Sequence, residues 1–149
     1  MITMEQYLMG RADGMTEVLW SNARNTVMMI NWLEAQYRID HPDAPAWLLS
    51  SGRRTPEINA GIPGAAVRSN HLTCNAADIV DRSRALCRWA FANLHHLADR
   101  DLYMEDPRCT PTWMHVQVVP PLSRNRVFIP NADWAQRLGG KPLTLGSIR

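Results

Sequence analysis

The sequence predicts an α+β fold, a small antiparallel sheet with helices packed on one side. Three observations lead there. Apolar residues recur at helical spacing in two long segments. Four short apolar stretches read as strands, and the order is helix, strand, strand, helix, strand, strand. The length of 149 residues suits one domain with one core of ordinary size.

The elements follow in order. Residues 1–15 form an N-terminal lead. Residues 16 to about 40 read as the longest helix, with Ala23, Val27, Ile30, Leu33 and Tyr37 on one face. Thr16 is placed to cap it, and Glu17 sits in the first turn, where the helix dipole favours a carboxylate. His41-Pro42-Asp43-Ala44-Pro45 ends it, because proline cannot continue the hydrogen bonding. Trp47–Ser51 reads as a strand, and Thr55-Pro56 opens a short helix. Residues 61–70, with two glycines and a proline, read as loop. Ala76–Val80 is a second strand, and Ser83 to about Leu97 a second amphipathic helix. Leu102–Glu105 and Trp113–Val119 read as a hairpin-like pair around the turn-rich Asp106–Pro111. Residues 121–149 are expected to be a loop-rich tail of the same domain.

Composition narrows the function. Hydrophobic residues make up 46% and charged residues 20%, which excludes collagen-like and disordered chains. A net charge of +2 gives no concentrated basic surface, so no nucleic-acid partner is expected. Arg82, Arg84, Arg88, Arg124 and Arg126 are spread out among acids. No apolar run approaches the ~20 residues that span a bilayer, so no membrane insertion is expected. The first residues have no apolar run fit for a secretory signal. Cys74, Cys87 and Cys109 imply no disulfide framework and fit a reducing cytosol.

The chemistry concentrates in Ser69–Asp78 and in Trp113–Val118. His71 precedes Asp78 by seven positions, and His115 lies mid-strand further on. Two imidazoles and a carboxylate are a usual catalytic zinc set, with one position left open. Nitrogen with one hard oxygen suits Zn2+ without excluding other divalent ions. On spacing alone the commoner reading is an ordinary loop histidine and an ordinary strand histidine.

Three segments add to this. Ser51-Gly52-Arg53-Arg54-Thr55-Pro56-Glu57-Ile58-Asn59 resembles the SGxRxPxxN segment of the M15 peptidases. Ser69-x-His71 through Asp78 resembles their SxHxxGxAxD motif. Thr110–Gln117 resembles the TPxWxHxQ strand of a subgroup common in bacteriophages, as do Pro120-Pro121 and Arg126–Pro130. The resemblance runs from about Trp47 to Pro130. It implies the small α+β fold shared by D-Ala-D-Ala peptidases and the Hedgehog signalling domain. It also implies a zinc peptidase cleaving the peptidoglycan stem peptide, either as a D-Ala-D-Ala carboxypeptidase or as an L-alanyl-D-glutamate endopeptidase.

By this resemblance His71, Asp78 and His115 are the metal ligands, Zn2+ is the cofactor, and Arg54 holds a carboxylate or an oxyanion. The general base departs from the family. Its best-known members carry an acid three positions before the last histidine, where this chain has Thr112. Glu105 and Asp106 are the nearest acids. If Leu102–Glu105 pairs with Trp113–Val118, Glu105 stands beside His115, and it is the expected base; the alternative is a solvated carboxylate at a strand end. Cys74 replaces the family's glycine, either as a small buried filler or as a thiol near the metal. Trp113 faces the same side as His115, either walling the pocket or simply packing. His95-His96 point about 100° apart on a helix and are not expected to share a metal.

The resemblance implies a cell-wall lysin made in the host cytoplasm without a signal peptide. It would act at the bacterial wall as an endolysin or be carried in a phage virion. The competing expectation is a catalytically silent structural or binding component of a phage particle, contacting other phage structural proteins, that keeps the metal-site fold. The missing ExxH acid and Cys74 motivate it.

Overall fold

The computed structural model describes residues 1–148. Its helices are α1 (Met4–Leu8), α2 (Glu17–Asp40), α3 (Pro56–Ala60), α4 (Ala85–Ala92), α5 (Leu94–Asp99) and α6 (Ala132–Leu138). The strands are β1 (Leu49–Ser51), β2 (Ala76–Val80), β3 (Tyr103–Glu105), β4 (Trp113–Gln117) and β5 (Val127–Phe128). They form a five-stranded sheet in the order β1-β2-β4-β3-β5. Every pairing is antiparallel except β3 with β5. The α+β expectation holds, and the sheet is mixed because the tail returns a short strand to β3.

Alternation along the strands splits the sheet into two chemically distinct faces. Ala77 and Ile79 of β2, Met104 of β3, and Met114 and Val116 of β4 are buried in one apolar cluster. That cluster also holds Ala23, Ile30, Leu33 and Tyr37 of α2, Leu86 and Trp89 of α4, and Leu97 of α5. α2, α4 and α5 therefore cover one face. Asp78, Trp113, His115 and Gln117 alternate with the core residues and occupy the other.

Local chemistry explains the helices. The Thr16 side chain accepts the Leu19 N–H, capping α2. The backbone N–H of His41 closes α2 onto the Tyr37 carbonyl, before Pro42. The helix expected over Ser83–Leu97 is broken at Asn93, which caps α4 and begins α5. It also starts later, because Arg84 adopts a left-handed φ of 65°. The buried Arg84 guanidinium donates to the Thr110 and Pro107 carbonyls, so this arginine clamps the connection between β3 and β4.

The N-terminal lead contains α1, closed by a capping box between Thr3 and Gln6. Its Tyr7 is fully buried, and the hydroxyl donates to the Ala76 carbonyl of β2. Gly52 makes this docking possible. A Cβ there would lie 2.0 Å from the Tyr7 carbonyl oxygen, a contact only glycine avoids. The tail is more ordered than a loop, since it supplies β5 and α6. No described helix is long and apolar enough to cross a membrane.

Candidate metal centre

The polar face of the sheet gathers the residues that can do chemistry. Asp78 of β2 is the direct cross-strand partner of His115 of β4. On the other side of β4, Met104 pairs with Val116, so the same antiparallel register sets Glu105 against His115. Asp78, His115 and Glu105 thus form one row across three adjacent strands. His71 joins them from the turn-rich segment between α3 and β2.

That segment is held by its own backbone and by its neighbours. The Ser69 hydroxyl accepts the His71 N–H, and the Arg54 N–H donates to the His71 carbonyl. Cys74 takes a left-handed φ of 58°, the conformation glycine adopts most easily. The buried Thr26 hydroxyl of α2 donates to the Cys74 carbonyl at 2.8 Å and fastens this turn to the core. The Cys74 side chain is fully buried, so it acts as filler. Burial, opposed by nearby Arg53, raises the thiol above its ordinary pKa.

The polar atoms converge. One ligand atom from each of His71, Asp78 and His115 lies within 4.8 Å of the others, a group that can hold a metal ion. The His71 Nδ1–H donates to the Gly52 carbonyl at 2.7 Å, which leaves the lone pair on Nε2. That Nε2 is buried and has no hydrogen-bond partner among the described residues. It lies 3.3 Å from an Asp78 carboxylate oxygen. Two acceptors facing each other in a buried site require a cation or a proton between them. Burial lowers the His71 pKa against the pull of Asp78, which favours the neutral, ligating ring. The donor set, two imidazoles and one carboxylate, fits zinc.

Asp78 is the electrostatic hub. Its Oδ1 lies 2.8 Å from His115 Nδ1, and its Oδ2 accepts from Arg54 Nη2 at 2.7 Å. Burial alone would raise its pKa, but the hydrogen bonds and charges of His115 and His71 hold the carboxyl well below the usual range. For His115, burial pulls down, while the hydrogen bond and charge of Asp78 outweigh it and raise the ring.

Glu105 behaves differently. Burial raises its carboxyl, and the charges of Asp78 and Asp106 add to that against His115, bringing it to about 7. A carboxylate poised near neutrality beside the His115 imidazole can accept and return a proton at working pH. It is not a solvated strand-end residue. Arg54 lies in the site, with Nε on the Ser51 hydroxyl at 2.9 Å and Nη2 on Asp78. Arg53 does not. It is buried and donates to the Asp13 carbonyl, tying down the lead.

The other singled-out histidines pack against neighbouring rings. His96 stacks on Trp89, and His95 packs against His96. His41 stacks on Tyr37. Trp113 is half-buried on the His115 face of β4. Thr112 is exposed and precedes β4. Two contributions were missed from sequence: the Gly52 carbonyl that orients His71, and Gln117, whose amide oxygen lies 3.3 Å from His115 Nε2. Alternation in β4 could have flagged Gln117, since it shares a face with His115. Nothing in residue type flags a backbone carbonyl.

A buried His–Asp–His group on the polar face of an α+β sheet is an arrangement that can hold a metal ion. The chain belongs to the peptidase M15 family: the family model described as Peptidase M15 matches residues 8–116, a span that includes Arg54, His71, Asp78, Glu105 and His115. No curated protein and no solved structure matches the chain.

Proposed function

We propose that this protein is a zinc-dependent peptidase that hydrolyses a peptide bond in the peptidoglycan stem peptide. The observation that carries the reading is the row Asp78–His115–Glu105, with His71 aimed at it. His71 through Nε2, Asp78 through a carboxylate oxygen and His115 through Nδ1 would hold the ion. When bound, zinc supplies Lewis acidity to the scissile carbonyl and to an attacking water.

The chain's own residues do the rest. Glu105 accepts the proton of the attacking water as the new C–O bond forms, and delivers it to the leaving amine as the C–N bond breaks. Asp106 is the other acid of this stretch, and both its oxygens are engaged by Arg108, so it is not a competing base. Arg54 keeps the Asp78 carboxylate in place.

The substrate class rests on M15 membership together with the resemblance of Ser51–Asn59, Ser69–Asp78 and Thr110–Gln117. Under this reading the protein is a lysin that acts on the bacterial wall, as a phage endolysin or a virion-borne enzyme. The silent structural reading drew on Thr112, which stands where an acid was expected. The position of Glu105 favours turnover instead.

The experiment is digestion of purified sacculi followed by mass spectrometry of released peptides. Wild type should release stem peptides with new termini, and His71→Ala should not. Equal release by both, or none by wild type loaded with zinc, contradicts the reading.

A further inference from the structure

The two imidazoles of the centre present different nitrogens to it, so each needs its own tautomer. His71 is set by a backbone carbonyl, that of Gly52. His115 is set by something else. Gln117 lies two residues on in β4, on the same face, and is 4% exposed. Its amide meets three partners. Oε1 accepts from Asn70 Nδ2 at 3.0 Å and lies 3.3 Å from His115 Nε2. Nε2 donates to the Val119 carbonyl at 2.6 Å.

These partners fix the amide's sense. A carbonyl only accepts, so the NH2 end must face Val119. With the NH2 end on Val119, Oε1 faces the Asn70 amide nitrogen, which donates to it, and His115. An amide oxygen cannot donate, so His115 Nε2 must carry the hydrogen. The lone pair of the neutral ring then sits on Nδ1, the atom turned toward Asp78. Asn70 directly precedes His71, so the same contact joins the two segments that carry the imidazoles.

We propose that Gln117 is a positioning residue that holds His115 in the Nε2–H tautomer with Nδ1 turned into the metal centre, and that Asn70 locks Gln117 in this sense. The proposal rests on the metal-centre reading. Gln117 itself touches neither the ion nor the substrate. A polar partner of this kind typically changes metal affinity by 10–100-fold.

The test compares wild type, Gln117→Met, Gln117→Glu and Asn70→Ala by zinc affinity against a chromophoric chelator. Long-range proton–nitrogen spectra of the labelled histidines report the tautomer. Gln117→Met should bind zinc roughly 10–100-fold more weakly and lose the Nε2–H signature of His115. Gln117→Glu keeps an acceptor oxygen and should restore the signature and most of the affinity. A merely structural role would lower stability without moving either readout. Wild-type affinity and tautomer in Gln117→Met overturn the proposal. If that variant does not fold, Asn70→Ala decides: weaker binding with a mixed His115 tautomer supports it, and unchanged values overturn it. If wild type takes up no zinc, the metal reading fails. The proposal then falls with it, whereas zinc bound equally by wild type and Gln117→Met, with the same His115 tautomer, overturns the role of Gln117 alone.

Discussion

Asp78 and His115 face each other directly across β2 and β4, and the carboxylate reaches the imidazole Nδ1 at 2.8 Å. The pairing puts a charge and a ring on the rigid middle of the sheet rather than on loops. Strand alternation keeps both off the apolar face, and one more strand across adds Glu105. The core and the site therefore share the same strands, one on each face.

Glu105 is the group placed to move the proton. Glu105→Gln keeps the size and removes the base, so kcat should fall about 10²–10⁴-fold while zinc content stays at the wild-type level. Peptide-release kinetics and elemental analysis on the same samples check this. A kcat within threefold of wild type would assign proton transfer to another group.

The same carboxyl makes the metal-free protein sensitive to pH. Its pKa rises from 4.5 to about 7 on folding, so the folded state holds this proton more tightly than the unfolded one. The stabilisation is present below the unfolded value and is lost as pH climbs through the folded value. Between about pH 5 and 8, metal-free wild type should lose up to about 3 kcal/mol relative to Glu105→Gln. Urea denaturation of both in chelator, across pH, measures the difference. Parallel curves would mean that Glu105 is solvated.

Arg54 contacts Asp78 at 2.7 Å with both side chains largely buried. Arg54→Met leaves the carboxylate without its cation, at a cost of about 3 kcal/mol in the metal-free protein. Arg54→Lys should recover part of this, since an ammonium cannot reproduce the guanidinium fork that also reaches Ser51. Chemical denaturation reads both. A loss under about 1 kcal/mol for Arg54→Met would place the pair among weak surface contacts.

Gly52 joins the lead to the site. A Cβ there meets the Tyr7 carbonyl oxygen at 2.0 Å, while the Gly52 carbonyl orients His71. Gly52→Ala should therefore cost about 3 kcal/mol and weaken metal binding together. Thermal unfolding and metal titration check it, and loss of neither would mean that α1 is not docked as described.

Much of this was legible in the sequence. β2, β3 and β4 showed as the short apolar stretches Ala76–Val80, Leu102–Glu105 and Trp113–Val119, and α2 through its apolar face. From the same strand pairing Glu105 could be set beside His115. Other features depended on tertiary contacts. α1 spans five residues, too few for a periodic signal, and is held by Tyr7 against Gly52. β5 spans two residues and exists because β3 offers it an open edge. The break at Asn93 has no proline or glycine to announce it. The tautomer of His71 depends on a backbone carbonyl, which no side chain advertises.

The central claim is that His71, Asp78 and His115 close on one cation. Elemental analysis of the purified protein and of His115→Ala tests it most directly. The account predicts roughly one zinc per wild-type chain and near-complete loss in the variant. Zinc absent from well-folded wild type supplied with the metal, or retained equally by His115→Ala, would contradict it.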